Sequence, residues 1–483
     1  MPHGIPDPDA VRRIHLMAIC GTGMGAFAGL LKAAGYEVRG SDAGVYPPMS
    51  TQLEEQEIQL MDGFAAENLD WEPDLVVVGN AIRRENPEAV AMRERDLLYA
   101  SFPETLSELF LASRHPVVVA GTHGKTTTSS ILAHCLDALD AAPETGFLVG
   151  GVLQNFGRNF RPGAEGGYFV LEGDEYDTAY FDKVPKFVHY RPRTAVLTSV
   201  EFDHADIYRD LEHVRSAFRR FVDLIPADGM LFACADGPEV PPIAEAVAGA
   251  LHLYSTKGDP RAAWQGAVVG ADRDTMTFTV SRGGELVGTF VSSLIGEHNL
   301  ANLTAVVGVL VEHGFEPAAI RAALATYRGV RRRQEVFAEP RGVTLIDDFA
   351  HHPTAVRATI DATRLRFGRD RRLWVVFEPR TNTTRRNIFQ EAYGRAFDGA
   401  DLLLVAPVHR AAGIPEDERF DPVRLVSDAR DGEVDARQAE SVEHIVQTLA
   451  AEARPDDVVL ILSNGGFGGI YASLPDAIEQ AGA

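Results

Sequence analysis

The sequence has only three cysteines in 483 residues, and their positions exclude two common uses of this residue. Cys20, Cys135 and Cys234 are far apart, so they lack the close spacing of zinc-binding cysteines. Their odd number and wide separation also give no disulfide framework, which fits a reducing compartment. We therefore expect a cytoplasmic protein.

Long apolar runs and an excess of basic residues are also missing. No run of about eighteen apolar residues is present, so we expect no membrane span. The first residues, Met1–Asp7, lack a basic region followed by an apolar run, so we expect no secretory signal. The formal charge of −23 argues against nucleic acid and anionic membranes as partners. Small anionic substrates are compatible with it, because local arginines and helix N-termini can still bind phosphate.

The sequence does contain a repeated order of short apolar strand, glycine-containing turn and amphipathic helix. This order begins at Ile14–Cys20, at Val117–Ala120 and at Val343–Ile346. It predicts parallel sheets covered by helices. Alternating residues on both sides of Arg282-Gly283-Gly284 predict an antiparallel hairpin within the second of these units.

Length and two connectors divide the chain into three α/β domains. A chain of 483 residues with 45% hydrophobic residues is too long for one ordinary core. The connectors lie at Ser113–His115 and Tyr327–Arg331, so the predicted domains are 1–112, 113–328 and 329–483. We predict a Rossmann-like N-terminal domain, a central P-loop ATPase-type domain with a small antiparallel sheet, and a Rossmann-like C-terminal domain.

The most specific local motif lies between the second apolar strand and its helix. It consists of Gly121, Thr122, His123, Gly124, Lys125, Thr126 and Thr127. Glycines let such a loop curl so that backbone N–H groups cradle phosphate at the helix N-terminus. Lys125 would contact the β- and γ-phosphates, and the Thr126 hydroxyl would bind Mg²⁺. Val119 replaces the first glycine of the usual pattern, so the loop is a shorter variant, and the alternative is a turn that binds nothing.

A second glycine-rich turn, predicted over Gly21–Gly25 in the first domain, resembles a dinucleotide-binding fingerprint. Gly21, Gly23 and Ala26 occupy its glycine positions, and Asp42 follows at the distance of a ribose or base partner. A nucleotide diphosphate other than NAD would fit the same geometry. A tight turn without a ligand is the alternative.

Two acidic segments follow predicted strands of the central domain. Glu172–Asp177 comes after Tyr168–Leu171, and Glu201–Asp206 comes after Ala195–Thr198. The carboxyl ends of parallel strands are where such sheets bind ligands. Carboxylates there, with the imidazole of His204, would suit Mg²⁺ beside a triphosphate. Two solvated acidic loops are the alternative.

Two further polar motifs lie where a nucleotide could bind. Asn299 and Asn302 share one face of a predicted helix, so both amides could contact a base or a ribose. A helix cap with one exposed asparagine is the alternative. In the last domain, Asp348 and His351 follow a strand and lie at its ligand edge. The pair His351-His352 does not indicate zinc, because no further Cys or His lies at ligand spacing.

Together, these motifs resemble the Mur ligase family of peptidoglycan enzymes. The resemblance runs from Ile14 to about Tyr471 and includes an arginine-rich linker, Arg331–Arg333. It implies three domains that bind UDP-N-acetylmuramate, ATP, and an amino acid or peptide, in that order along the chain. It also implies Mg²⁺ as a cofactor and the formation of an amide bond through an acyl phosphate.

Within the family, the sequence segments Asp174–Asp177 and Lys186–Thr194 resemble those of members that add a preformed peptide. The resemblance then implies ATP-dependent coupling of L-Ala-γ-D-Glu-meso-diaminopimelate to UDP-N-acetylmuramate, in peptidoglycan recycling. The alternative is the addition of free L-alanine. Arg380, Arg385 and Arg386 follow a strand of the last domain, where they would bind peptide carboxylates, and a solvated basic loop is the alternative.

The resemblance also assigns roles to the polar residues of these motifs. The catalytic group would be Lys125, Glu172 and His204, with Thr126 and Glu172 on one Mg²⁺ and Glu172 and His204 on a second. The adenine side of ATP would contact Asn299 and Asn302, and the groups closing over ATP would be Arg333 and Asp348. The UDP-sugar site would contain Gly21, Gly23 and Asp42.

The residues alone leave two other functions open. Gly21–Ala26 would suit an NAD-dependent oxidoreductase, but that function leaves the glycine-rich loop Gly121–Thr127, the predicted phosphate loop, without a role. A nucleotide-gated binding protein would use the loop, but it leaves the two acidic segments without a carbonyl substrate.

The segment after His204 predicts that activity does not depend on dissolved CO₂. Several members of the family carry a carbamoylated lysine after the Asp-His motif, whereas this chain has no lysine between His204 and Pro226. Phosphate release in CO₂-depleted buffer should therefore be equal with and without added bicarbonate. A clear increase on adding bicarbonate would contradict the prediction.

Overall fold

The computed structural model describes residues 4, 5, 7–45 and 49–481. Three large sheets follow one another along this part of the chain, and a two-stranded ribbon accompanies the second sheet. No helix among these residues is long and apolar enough to cross a membrane.

The N-terminal domain contains a five-stranded parallel sheet in the order β3-β2-β1-β4-β5. Its elements are β1 (Arg13–Met17), α1 (Thr22–Ala33), β2 (Glu37–Asp42), α2 (Met49–Glu54), β3 (Gln59–Asp62), β4 (Leu75–Val78), α3 (Pro87–Glu94), β5 (Tyr99–Ser101) and α4 (Phe102–Leu106). A π-helical turn, Ser107–Leu111, leads out of the domain.

The turn between β1 and α1 is shorter than predicted. The sequence predicts a turn over Gly21–Gly25, but Gly21 is the N-cap of α1 and the helix begins at Thr22. The Gly25 N–H donates to the Gly21 carbonyl at 2.7 Å and closes the first turn of the helix, and just before it the Asp42 carboxylate accepts from the Cys20 N–H at 2.8 Å. Gly23 therefore lies inside the first turn of the helix.

The central domain contains a ten-stranded mixed sheet in the order β17-β16-β15-β14-β13-β12-β6-β9-β7-β8. The elements of its first half are β6 (His115–Ala120), α5 (Lys125–Ala138), β7 (Gly146–Leu153), β8 (Arg158–Arg161), β9 (Tyr168–Gly173), the ribbon β10 (Asp177–Ala179) and β11 (Asp182–Pro185), and β12 (Thr194–Leu197). Those of its second half are α6 (Leu211–Asp223), β13 (Met230–Cys234), α7 (Val240–Ala244), β14 (Ala250–Ser255), β15 (Trp264–Ala271), β16 (Met276–Arg282), β17 (Glu285–Ser292), α8 (Glu297–Glu312) and α9 (Pro317–Ala325).

The predicted hairpin is present and extends this sheet. β16 and β17 pair in antiparallel fashion around Gly283-Gly284, and β15 pairs with β16 in the same way. β15 also pairs in parallel with β14, through Tyr254 and Trp264. The antiparallel strands are therefore hydrogen-bonded to the parallel part of the central sheet.

The C-terminal domain contains a six-stranded sheet in the order β18-β19-β23-β20-β21-β22, parallel except for β18. Its elements are β18 (Glu335–Ala338), β19 (Thr344–Asp348), α10 (Pro353–Phe367), β20 (Leu373–Phe377), α11 (Gln390–Ala396), β21 (Leu402–Val405), α12 (Pro422–Asp431), β22 (Asp435–Gln438), α13 (Val442–Glu452), β23 (Val458–Leu462) and α14 (Ile470–Gln480).

Three neighbouring parallel strands position the candidate site. β6 lies between β9 and β12, with Ala120 beside Gly173 on one side and beside Leu197 on the other. The segments that follow these strands therefore leave the sheet at the same edge. They are the glycine-rich loop and the two acidic segments found in the sequence.

The N-terminal and central domains share one continuous apolar core. Gly29 of α1 lies so close to β8 that a Cβ atom there would be 2.4 Å from the Phe160 ring. In contrast, the hydrophobic clusters of the described part of the C-terminal domain contain only residues of that domain.

Candidate active site

The glycine-rich loop joins β6 to α5 and has the geometry of an anion site. Gly121 has a φ of +133°, and a Cβ atom there would lie 2.2 Å from Thr198 Oγ1, so only glycine fits. Gly124 is the N-cap of α5, with a φ of +83° and no side-chain cap. The first N–H groups of this 14-residue helix are thus available to an anion, and the helix dipole favours negative charge there.

Lys125 occupies the first position of α5, and its ammonium group points back into the loop. Its Nζ donates to the Gly121 carbonyl at 2.5 Å and lies 2.9 Å from a carboxylate oxygen of Glu175. Burial opposes the charged form, but Glu175 and Asp174 outweigh it and raise the pKa of Lys125. Lys125 is therefore a cation at the mouth of the loop, and its contact with phosphate stays a prediction.

Glu175 is a residue of the site that the sequence did not identify. Its side chain is only 3% exposed and lies between Lys125 and His204, whose Nε2 is 3.2 Å from the Glu175 carboxylate. The Tyr208 hydroxyl donates to the Glu175 carbonyl at 2.7 Å and anchors its backbone. The acidic segment after β9 was visible in the sequence, but no spacing rule selects which of its carboxylates meets a lysine fifty residues earlier.

Thr126 and Glu172 lie together beside the loop. The Thr126 hydroxyl donates to Glu172 Oε2 at 3.1 Å, and the Gly150 N–H donates to Glu172 Oε1 at 2.5 Å. Burial raises the pKa of Glu172, and the Gly150 N–H, Lys125 and Arg333 oppose this rise. Hydroxyl and carboxylate oxygens at a phosphate loop are the donor set that Mg²⁺ prefers, so these residues fit the predicted cation.

His204 is fixed by two partners and has a strained backbone. The Tyr176 hydroxyl lies 2.6 Å from Nδ1, and Glu175 lies at Nε2. Burial lowers the pKa of His204, but Glu175 and Asp203 outweigh it, so the net shift is upward. Its φ is +53°, in the left-handed region that non-glycine residues adopt at some energetic cost.

Asn299 and Asn302 lie in the first turns of α8, and both are buried. Asn299 Nδ2 donates to the Ile295 carbonyl at 3.0 Å, and a Cβ atom on Gly124 would lie 2.6 Å from Asn302 Oδ1. The alternative of an exposed asparagine is therefore wrong. Asn302 lies against the phosphate loop, while a contact of either residue with adenine stays a prediction.

Arg333 and Asp348 bring the C-terminal domain to the same region. The charge of Arg333 acts on Asp348, on Glu172 and on His298 at the start of α8. Asp348 accepts hydrogen bonds from the Gln334 N–H at 2.8 Å and the Ala350 N–H at 2.7 Å. Burial raises the pKa of Asp348, and Arg333 opposes the rise.

The predicted UDP-sugar residues lie together at the carboxyl end of β1 and β2. Gly21 and Gly23 form the start of α1, and a Cβ atom on Gly23 would meet nothing within 4 Å. Asp42 uses its carboxylate on backbone N–H groups, those of Cys20 and, at 3.3 Å, Gly44. It thus has a structural task in the turn, and a contact with ribose stays a prediction.

The three predicted peptide-binding arginines share a basic region with a fourth. Burial lowers the pKa of Arg385, and the charges of Arg386, Arg410 and Arg380 lower it further, so these guanidinium groups lie near one another. Arg380 pairs with Glu378 at 3.2 Å, and Arg386 pairs with Glu418. The sequence did not identify Arg410, although it follows β21 in the way that Arg380 follows β20.

The chain is similar to known proteins along most of its length. Three family profiles match it: "Mur ligase family, catalytic domain" over residues 13–114, "Mur ligase middle domain" over 119–310, and "Mur ligase, glutamate ligase domain" over 332–465. It is 39% identical to the UDP-N-acetylmuramate--L-alanyl-gamma-D-glutamyl-meso-2,6-diaminoheptandioate ligase of Escherichia coli K12, over 97% of this chain and 98% of that protein. It is 34% identical to the UDP-N-acetylmuramate--L-alanine ligase of Halorhodospira halophila, over 98% of this chain and 95% of that protein. A solved murein peptide ligase from Psychrobacter arcticus is 36% identical, with a TM-score of 0.71, over 96% of this chain and 98% of that one.

His298 predicts a pH dependence of stability that the variant His298→Gln should reduce. Burial, followed by the charges of Arg333 and His123, lowers the pKa of His298 from 6.5 to about 4. As the pH falls from about 6.5 towards 4, the unfolded chain binds a proton at this position and the folded chain does not, so wild type loses stability. Melting temperatures measured across this range should fall less steeply for His298→Gln. Parallel curves for the two proteins would refute the assignment.

Proposed function

Because the chain belongs to the Mur ligase family, we propose that it joins the peptide L-Ala-γ-D-Glu-meso-diaminopimelate to UDP-N-acetylmuramate with consumption of ATP. The observation that carries this proposal is the convergence of Lys125 and the Thr126–Glu172 pair at one edge of the central sheet, a region that Arg333 and Asp348 reach from the C-terminal domain. The extent of similarity to the peptide-adding relative from Escherichia coli supports this acceptor over free L-alanine.

The reaction proceeds through an activated carboxyl group. The lactyl carboxylate of the muramic sugar attacks the γ-phosphorus of ATP, the bond to the β,γ-bridging oxygen breaks, and ADP leaves. The acyl phosphate that results has a far better leaving group than a free carboxylate. The neutral N-terminal amine of the peptide then attacks the carbonyl carbon, and inorganic phosphate and a proton are released.

The residues of the loop act where negative charge develops. Lys125 and the first N–H groups of α5 bind the phosphates and stabilise charge on the transferred phosphoryl group. Thr126 and Glu172 would hold Mg²⁺, and His204 would serve a second ion. Bound Mg²⁺ supplies charge neutralisation at the phosphoryl oxygens. Arg333 and Asp348 reach this region from the C-terminal domain, so closure of that domain excludes water from the acyl phosphate.

The basic region of the C-terminal domain suits the peptide. The acceptor carries several carboxylates, and guanidinium groups bind carboxylates in a bidentate manner. Arg385 donates to Asn382 at 2.6 Å, and Asn382 in turn donates to Asp206 of the central domain at 3.1 Å. The basic region therefore lies close to the acidic segment that contains His204.

The UDP-sugar, in this proposal, binds the N-terminal domain near Gly21, Gly23 and Asp42. This domain packs on the central sheet through a continuous apolar core, so the sugar nucleotide would be presented to the phosphate loop from a fixed direction. The substrates are small intracellular anions, and we accordingly propose a cytoplasmic enzyme without a nucleic-acid or membrane partner.

Lys125→Ala should lower turnover by about 100- to 1,000-fold, the usual effect of removing one group that stabilises developing charge. Phosphate release in the presence of both acceptor and donor measures this effect. Lys257→Ala, at an exposed lysine, is the matched control and should retain wild-type turnover. Near-wild-type turnover of folded Lys125→Ala would remove the phosphate loop from the mechanism.

The choice of acceptor tests the proposed function directly. Purified protein with Mg-ATP and UDP-N-acetylmuramate should release phosphate faster with the tripeptide than with L-alanine. Contacts far from the reacting amine contribute to positioning it, so truncation should lower kcat as well as affinity. The Arg410→Ala variant should lose most of its preference for the tripeptide while retaining the slow reaction with L-alanine. Faster product formation with L-alanine in wild type would overturn the proposed acceptor.

A further inference from the structure

Three side chains from distant parts of the sequence meet between the phosphate loop and the C-terminal domain. They are His123 in the loop, Glu201 after β12, and His352 at the N-cap of α10, and their ligand atoms lie within 4.8 Å of one another. Glu201 Oε2 is 3.7 Å from His123 Nε2 and 3.8 Å from His352 Nδ1. The sequence argued against zinc at His352 because no further ligand lies at short spacing, but the fold supplies two from other segments.

The nitrogen of His123 that faces this group has no good partner. Nε2 of His123 is buried and makes no hydrogen bond with the described residues. A buried ring nitrogen left in this way is costly unless a ligand satisfies it. The rings of His123 and His352 lie 4.8 Å apart between centroids, so one small ion could contact both.

We propose that His123, Glu201 and His352 form a zinc site that links the phosphate loop to the C-terminal domain. Two imidazoles and one carboxylate are a ligand set of zinc, whereas Mg²⁺ prefers oxygen alone. Three protein ligands leave one coordination position for water. The site shares no residue with the Thr126–Glu172 pair, although His123 belongs to the glycine-rich loop, so the proposal adds to the proposed function and does not depend on it.

The hydrogen bonds that Thr354 makes to Glu201 and His352 define an alternative arrangement of this group without zinc. The Thr354 hydroxyl donates to Glu201 Oε2 at 2.7 Å, and the Thr354 N–H donates to His352 Nδ1 at 3.3 Å as the helix cap. If the group is only a polar contact between domains, these hydrogen bonds already satisfy its side chains and the protein should not bind zinc there. Zinc binding by the whole chain separates the two arrangements.

The experiment measures zinc binding by the metal-free, full-length protein without nucleotide, in competition with a chromophoric chelator. Wild type should bind one zinc per chain, and saturating zinc should raise its melting temperature. His352→Asn keeps a good N-cap for α10 but removes the imidazole, and Glu201→Gln keeps an acceptor for Thr354 but removes the charge. Each should weaken zinc binding by at least about 100-fold, since loss of even an outer partner of a metal ligand costs about 10–100-fold.

Two histidine variants are the matched controls. His351→Asn makes the same change one position earlier, where the ring faces the Phe349 carbonyl. His189→Asn tests the other group of possible ligands, Glu104, Asp182 and His189. Both controls should bind zinc as wild type does. The proposal is overturned if wild type binds no zinc, if binding survives in both His352→Asn and Glu201→Gln, or if His189→Asn abolishes it.

Discussion

The parallel pairing of β6 with β9 and β12 is the constraint on which the candidate site depends. Because Ala120 is level with Gly173 and with Leu197, three segments leave the sheet at the same level from three adjacent strands. The loop provides the cation and helix N-terminus, and the flanking segments provide the carboxylates and His204. A shift of register would separate Lys125 from Glu175 without altering either motif in the sequence.

Local rules predicted much of the fold and the position of the site, but not the partners within it. Gly121 and Gly124 lie between a predicted strand and a predicted helix, and this local pattern is enough to predict the loop. The meeting of Lys125 with Glu175 depends on which carboxylate the turn directs inward, and the Tyr208 hydroxyl, which comes from a later segment, anchors the Glu175 backbone there. The group formed by His123 and His352 depends on contact between two domains, for which the sequence has no periodic signal.

Charge is distributed unevenly in a way that the total hides. A net charge of −23 would oppose anionic substrates if it were spread evenly. Instead, Lys125 and the N-terminus of α5 lie at one end of the site, and the arginines around Arg385 lie at another. The carboxylates between them, Glu172 and Glu175, are buried or paired. These fixed cations create local positive fields that the overall charge does not reveal.

The different attachments of the outer domains have a mechanical consequence. The N-terminal domain is joined to the central one by a shared hydrophobic core, in which Gly29 packs closely against the Phe160 ring. Separating the two domains would therefore expose apolar surface to water. The C-terminal domain has its own cores and meets the central domain through bonds such as Thr354–Glu201, which water can replace at little net cost. Rotation of the C-terminal domain would therefore break polar bonds that water can replace, whereas rotation of the N-terminal domain would break an apolar core.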